Sequence, residues 1–255
     1  TYIYTSISFL FFLTLDKTTI SLFQIHHDLP TLFYFFVFLL ILNYSTRSFI
    51  VLFFATSILW LAIWTKLTAL PWLLLPLTIR ILSPRSSLLL QNFKPINIVT
   101  CQFLSGFSIF IIFGFFYGFN DIFFHIFETT KGYPWRECTS LFGSSSEIFV
   151  SNNFLSKLQS LFKIFSLYIV EYWWLLSSCI LVILYQIKTT GCNPLVWLAL
   201  SYLLVLPACL SALAKFGGVE NSLLFAHLPA YATVFLQASI IIERCFQSSS
   251  LKILP

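Results

Sequence analysis

Long apolar runs, broken only by short polar stretches, are the feature that most restricts how this chain can fold. Residues 32–42 and 49–63 are almost entirely apolar, and a helix needs about 20 such residues to cross a bilayer. Only 9% of the residues are charged, against about 25% in soluble domains. A soluble fold of 255 residues cannot bury this much apolar surface. The sequence therefore predicts an all-α, polytopic transmembrane helical bundle with a single transmembrane domain covering residues 1–255.

The apolar runs predict about eight membrane segments. Pro71 and Pro76 interrupt the run 71–82, which is interpreted as a tilted or broken crossing. The predicted segments cover residues 2–15, 29–42, 48–64, 71–82, 99–119, 165–187, 195–213 and 223–242. Residues 120–163 are the only large hydrophilic region, so they predict one larger extracytoplasmic loop.

The distribution of charge predicts the orientation in the membrane. With eight crossings, one set of loops holds seven Lys and Arg residues against Glu243 alone. The other set holds seven basic and seven acidic residues. Because Lys and Arg accumulate in cytoplasmic loops, we expect the first set to be cytoplasmic. The net positive charge of the chain is then explained by its membrane topology, and no nucleic-acid partner is predicted.

Four polar stretches fall on the predicted extracytoplasmic side. The first is His26-His27-Asp28, where a carboxylate beside two imidazoles can act as a base, ligate a metal or hold a hydroxylated ligand. The alternative is an ordinary polar helix start. The other three stretches are residues 65–68, 120–163 and 215–221.

Two of these stretches contain a lysine next to a span. Lys66 can neutralise a phosphate or extend its side chain to the membrane surface. Lys215 is followed by two glycines, which allow close backbone approach to a ligand. Glu220 and Asn221 then supply an acceptor and a donor. The alternative for residues 215–221 is a tight turn between helices.

Two titratable residues lie inside apolar runs. Glu171 is followed by Tyr172-Trp173-Trp174, a composition typical of the membrane interface. It is either a functional carboxylate or an ordinary residue at headgroup depth. His227 is predicted to be buried against a neighbouring helix. No His or Cys spacing typical of a metal site is present.

The order of these motifs resembles the C-terminal part of GT-C glycosyltransferases that use polyprenyl-phosphate sugars. His26-His27-Asp28-Leu29 stands where that family has an Arg-Pro-Asp-like triplet. The segment 64–71, with Lys66 as its third residue, is similar to the family's Leu-x-Lys-x-Thr-x-Leu motif, although Trp64 replaces the first Leu. Residues 215–221 match the Lys-x-Gly-Gly-x-x-Asn spacing.

The resemblance implies transfer of a sugar from a lipid-phosphate donor to an acceptor on the extracytoplasmic side, with no cofactor. Asp28, or alternatively Asp16, is implied as the catalytic carboxylate. The substrate-binding residues that the resemblance implies are His26, His27, Lys66, Lys215, Glu220 and Asn221. The family's catalytic carboxylate usually lies after the first span. Because the chain starts at Thr1 and contains no Met, we expect an N-terminal portion to be missing.

The sequence leaves three functions open. The chain is an enzyme, or it is a non-catalytic membrane subunit that assembles with other subunits. A transporter is the third alternative, but Glu171 is the only acidic residue within a predicted span. Membrane lipids are expected partners in every case.

The predicted orientation can be checked by cysteine labelling in a variant without native cysteines. We expect Ser145→Cys in the large loop to react with a membrane-impermeant maleimide on intact cells. Ser87→Cys, in a predicted cytoplasmic loop, should react only after permeabilisation. Labelling of both sites on intact cells would contradict the orientation.

Overall fold

The computed structural model describes residues 28–43, 47–82, 89–124, 126, 134–135, 141, 153–189, 193–215 and 223–250, with backbone alone at 28 and 245–250. Within these residues every element is a helix apart from an isolated bridge between Trp135 and Lys215. The predicted all-α class is therefore confirmed. The α-helices are α1 (Asp28–Ile41), α2 (Phe49–Thr65), α3 (Leu75–Leu82), α4 (Pro95–Tyr117), α5 (Phe119–Phe123), α6 (Phe154–Thr189), α7 (Pro194–Leu213) and α8 (Leu224–Ser250), and 3₁₀ helices cover Leu67–Leu74 and Leu90–Asn92.

Four of the described helices are long and apolar enough to cross a membrane, namely α4, α6, α7 and the part of α8 up to Arg244. Three shorter apolar helical stretches, Leu29–Ile41, Phe49–Thr65 and Leu67–Leu82, lie beside them. This set is compatible with an integral membrane protein that crosses the bilayer several times. The predicted segment 2–15 lies outside the described residues.

Helix α6 is longer than the sequence predicts. It has 36 residues, about 54 Å at 1.5 Å per residue, and begins at Phe154, whereas residues up to 163 were expected in the large loop. The Asn153 side-chain oxygen accepts a hydrogen bond from Ser156 N at 2.7 Å, which caps the first turn. A non-helical conformation at Tyr172 (φ −120°, ψ 20°) kinks the helix.

The segment 67–82 passes from one end of the bundle to the other. At its start, Lys66 lies over Phe225 in the first turn of α8. Near its end, Arg80 Nε donates to Phe93 O at 2.9 Å, and the neighbouring Leu89 N donates to Leu42 O at the far end of α1. Eight 3₁₀ residues and eight α residues span about 28 Å. This length is close to the thickness of the hydrocarbon core, about 30 Å.

Trp72 joins this segment to three other helices at the centre of the bundle. Its ring is fully buried and stacks on Phe35 of α1, with centroids 3.9 Å apart. Its Nε1 donates to Ser201 O of α7 at 3.1 Å, and Phe225 of α8 meets it edge-on at 5.9 Å. The buried indole N–H is thus satisfied, as a polar group in an apolar core requires.

Close approach of α2 and α4 depends on Gly106. A Cβ at this position would overlap the Trp60 indole. Trp60 Nε1 donates to Gln102 O at 2.7 Å, and Gln102 Nε2 donates to Leu73 O at 2.7 Å. One glycine therefore supports a chain of hydrogen bonds from α2 through α4 to the segment 67–82.

Gly106→Leu should destabilise this interface by about 1–3 kcal/mol, because extra volume in a packed interior forces side chains or backbone to move. Ser108→Leu, at a half-exposed position of the same helix, is the matched control. We expect the midpoint of thermal unfolding of the detergent-solubilised protein to fall only in Gly106→Leu. Equal midpoints for the two variants would contradict this account of the α2–α4 contact.

Candidate functional site

Lys66 contacts the helix that follows the last polar stretch. Its Nζ lies 4.7 Å from the ring centroid of Phe225, the second residue of α8. An ammonium in this position over a phenyl ring is attracted to the ring face. The contact places residues 65–68 beside the start of α8, which follows residues 215–221 in sequence. More than 150 residues separate Lys66 from Phe225 in the chain.

A helix break fixes the position of Lys66. Pro71 has no N–H to donate to the carbonyl of Leu67, and its ring would clash with that carbonyl in a continuing α-helix. The chain leaves α2 at Lys66 with an extended backbone (φ −154°, ψ 115°). Lys66 N still donates to Ala62 O at 3.2 Å, and Lys66 O accepts from Ala69 N at 3.0 Å. The break therefore leaves neither backbone group of Lys66 without a hydrogen bond.

Lys215 is the point where the large loop meets the end of α7. It follows the C-terminus of α7, and its N donates to Ala212 O at 3.3 Å. An antiparallel bridge pairs its backbone with Trp135. The bridge places part of the 120–163 stretch directly beside the start of the 215–221 stretch.

A cavity of about 630 Å³ lies at the end of α2, beside the Lys66 turn. Thr65 and Leu67, on either side of Lys66, both line it. The lining residues come from α1, α2, the start of the 3₁₀ helix, α4 and α5 with the residues after it. They are Tyr34, Leu61, Trp64, Thr65, Leu67, Phe113, Tyr117, Asp121, Ile122 and Ile126.

Aromatic rings form one wall of the cavity. The Trp64 and Phe113 rings meet at 90° with centroids 5.2 Å apart. The Phe113 and Tyr117 rings meet at 75° and 5.9 Å. The Trp64 Nε1 atom is buried and has no hydrogen-bond partner among the described residues. The wall thus presents mainly apolar ring surface to the cavity, because the indole nitrogen itself is buried.

Gly118 turns the chain so that Asp121 faces this cavity. It ends α4 with φ 85° and ψ 132°, a conformation that residues with a Cβ rarely adopt. Its carbonyl accepts from Ile122 N at 3.2 Å, which starts the short helix α5. Asp121 lies in the first turn of α5, and its side chain is exposed.

The sequence-predicted site residues fall into three groups. Lys66 and Lys215 both lie where a helix ends at the same end of the bundle. Asp28 is the first residue of α1, and only its backbone is described. Asp16, His26, His27, Glu220 and Asn221 lie outside the described residues.

Glu171 and His227 do not share a site. Glu171 is exposed on α6 beside the kink. His227 is buried, as predicted. Its ring packs among Tyr172 at 4.5 Å, Tyr231 at 5.7 Å and Tyr168 at 5.8 Å between ring centroids. This aromatic cluster packs α6 against α8.

The sequence did not reveal the cavity residues Tyr34, Tyr117 and Asp121 as a group. Gly118, placed directly after a long apolar run and three residues before Asp121, was the available signal for a turn at the membrane surface. Within the described part of the chain, no three His, Cys, Asp or Glu residues are grouped so that they could hold a metal ion.

No protein-family model, curated protein or solved structure matches this chain. Its function is therefore argued from the motifs and the geometry above.

The Trp135–Lys215 bridge can be tested by a disulfide in a variant without native cysteines. Paired residues in an antiparallel bridge have Cα atoms about 4.5–5.5 Å apart, within the range that a disulfide spans. We expect Trp135→Cys with Lys215→Cys to keep two fragments joined after oxidation and cleavage at a protease site inserted at residues 143–146. Reductant should separate the fragments.

The matched control for this disulfide is Trp135→Cys with Lys188→Cys, in which the two cysteines also lie on different fragments. Lys188 is in the last turn of α6, beside the N-terminus of α7 and so at the opposite end of that helix from Lys215. Fragments that stay joined equally in both pairs would contradict the bridge.

Proposed function

We propose that the protein is a membrane glycosyltransferase of the GT-C type, which transfers a sugar from a lipid-phosphate donor to an acceptor on the extracytoplasmic side. The observation that carries the proposal is the contact of Lys66 with Phe225, because it joins the two lysine motifs at one end of the bundle. The same end holds the Trp135–Lys215 bridge and the start of α1.

The two lysines have the charge that a lipid-phosphate donor requires. Lys66 is half-buried and follows α2, and Lys215 is half-buried and follows α7. A phosphate held at a membrane surface needs cationic donors, since hydrogen bonds from ammonium to phosphate are stronger than neutral ones. We assign Lys66 and Lys215 to the donor phosphate, with Glu220 and Asn221 hydrogen-bonding the sugar or phosphate.

The start of α1 brings the proposed carboxylate to the same end. Tyr34 lines the cavity beside the Lys66 turn and lies six residues after Asp28, about 9 Å along a helix. Asp28, with Asp16 as the alternative, is the proposed base, and His26 and His27 precede it. The cavity wall thus connects α1 to the Lys66 turn.

The proposed reaction is a displacement at the anomeric carbon of the sugar. The carboxylate takes the proton of the acceptor hydroxyl, and the oxygen forms the new glycosidic bond. The bond from the anomeric carbon to the phosphate oxygen breaks, and the lipid phosphate leaves with the electron pair. Lys66 and Lys215 stabilise the negative charge that develops on the leaving phosphate.

Removal of both lysines tests this assignment. In reconstituted membranes supplied with a polyprenyl-phosphate sugar carrying labelled sugar, Lys66→Ala with Lys215→Ala should lower label transfer by at least about tenfold. The reason is that each hydrogen bond to a charged group contributes roughly 1.5–3 kcal/mol. The matched control is Lys157→Ala with Lys163→Ala, two lysines of α6, which should retain transfer.

Two results would count against the proposal. Undiminished transfer in Lys66→Ala with Lys215→Ala would remove the phosphate roles. Binding of the labelled donor without transfer by the unaltered protein would favour a non-catalytic membrane subunit instead.

A further inference from the structure

The charge of the cavity beside the Lys66 turn favours a positively charged ligand. Thr65 and Leu67 line the cavity, whereas the Nζ atom of Lys66 between them lies over the Phe225 ring. The described lining residues include Asp121 and no Lys, Arg or His. The Asp121 side chain is exposed, so a solute in the cavity can reach its carboxylate. An anion there would be repelled and a cation attracted, which distinguishes the cavity from the proposed donor-phosphate site.

Four aromatic rings line the same cavity, and we refer to them as the aromatic cage. Tyr34 belongs to α1, Trp64 to α2, and Phe113 and Tyr117 to α4. The Phe113 ring is perpendicular to the Trp64 ring and lies at 75° to the Tyr117 ring. Rings at such steep angles present faces and edges in different directions. The ring face carries partial negative charge and attracts cations, so the cage and the Asp121 carboxylate favour the same kind of ligand.

The walls of the cavity select an organic cation. A calcium or magnesium ion needs several oxygen ligands, and Asp121 is the only carboxylate among the described lining residues. A primary ammonium carries N–H donors that require acceptors, and the side chains of Leu61, Leu67 and Ile122 offer none. A quaternary ammonium presents methyl groups instead, which pack against apolar walls while the positive charge meets the rings.

We propose that this cavity binds a quaternary ammonium group in the aromatic cage, with the Asp121 carboxylate balancing its positive charge. The group belongs either to the choline headgroup of a membrane lipid or to a free quaternary ammonium compound. The cavity volume of about 630 Å³ lies within the range of small-molecule sites, about 300–1,000 Å³. The site requires binding alone, so it stands or falls independently of the transfer reaction.

The first arm of the test uses the full chain in nanodiscs and three photoreactive phospholipids with the same diazirine on the glycerol backbone. Their headgroups are choline, ethanolamine and neohexyl alcohol, which has the shape of choline but a carbon atom in place of the charged nitrogen. Labelling is measured on peptides covering residues 61–67 and 113–124. For a lipid headgroup, we expect the choline lipid to label these peptides at least about fivefold more than either other lipid, a difference of about 1 kcal/mol.

The second arm measures binding of radiolabelled choline to the full chain in nanodiscs of phosphatidylglycerol alone. For a free quaternary ammonium compound, we expect saturable binding that excess unlabelled choline displaces and neohexyl alcohol does not, with no headgroup preference in the first arm. A preference for the choline lipid in the first arm assigns the ligand to a headgroup, whether or not free choline also binds.

Variants of two exposed residues locate the ligand in the cavity. Asp121→Asn keeps the shape of the side chain but removes its charge, and should lower the signal of the responsive arm about tenfold. Tyr117→Leu removes a ring of the cage and should lower it about threefold, whereas Tyr117→Phe keeps the ring and should retain the signal. Tyr117 is 68% exposed, so its replacement changes little of the packed interior. The matched controls are Glu171→Gln and Tyr185→Leu, exposed residues of α6 that should leave the signal unchanged.

Three results would overturn the proposal. Labelling by the ethanolamine lipid that exceeds the neohexyl lipid and at least equals the choline lipid would favour a primary ammonium held by hydrogen bonds. Equal labelling by all three lipids together with no saturable binding of choline would exclude a cation site. An unchanged signal in well-folded Asp121→Asn and Tyr117→Leu would place the ligand outside the cavity. Both arms first use the unaltered protein, so misfolding of a variant leaves the test valid.

Discussion

The absence of water in a bilayer core is the constraint on which the rest of this structure depends. Every backbone N–H and C=O in that region needs a partner within the protein, which favours helices and restricts breaks to protected places. Two described breaks obey this rule. At Lys66, the N–H and C=O bond to Ala62 and Ala69. At Gly118, the carbonyl accepts from Ile122 N. Both breaks adjoin the 630 Å³ cavity, so the irregular backbone occurs where it can shape a site.

Two residue types produce these breaks by different means. Pro71 prevents α2 from continuing and so sets the Lys66 turn. Gly118 permits the positive φ that turns α4 into α5. The first break directs an ammonium towards α8, and the second brings a carboxylate to the cavity between α2 and α4. Because opposite charges are directed to different sides of one short turn, the same end of the bundle can present two chemically distinct surfaces.

Sequence reasoning predicted the parts of the structure that composition controls. The helical class and the positions of most apolar helices follow from long apolar runs, such as residues 195–213 in α7. Helix α6 begins about ten residues before the predicted span 165–187, because the Asn153 cap starts it at Phe154, and Lys157 and Lys163 lie within it. The cavity could not be predicted. Tyr34, Trp64 and Tyr117 lie on three helices, and only tertiary packing brings them together. The membrane orientation and the roles of Asp28 and Glu220 stay predictions.

The positions of Lys66 and Lys215 have a structural cause as well as a proposed functional one. The structural cause is the electrostatics of the helix ends. Lys66 follows the C-terminus of α2 and Lys215 follows that of α7, where unsatisfied carbonyls carry partial negative charge that favours a cation. This interaction is worth about 0.3–1 kcal/mol, less than one hydrogen bond to a charged group at roughly 1.5–3 kcal/mol. The helix-end interaction is therefore the weaker of the two. The stabilising effect of a cation at a helix end is thus compatible with the proposed contact of Lys66 and Lys215 with the donor phosphate.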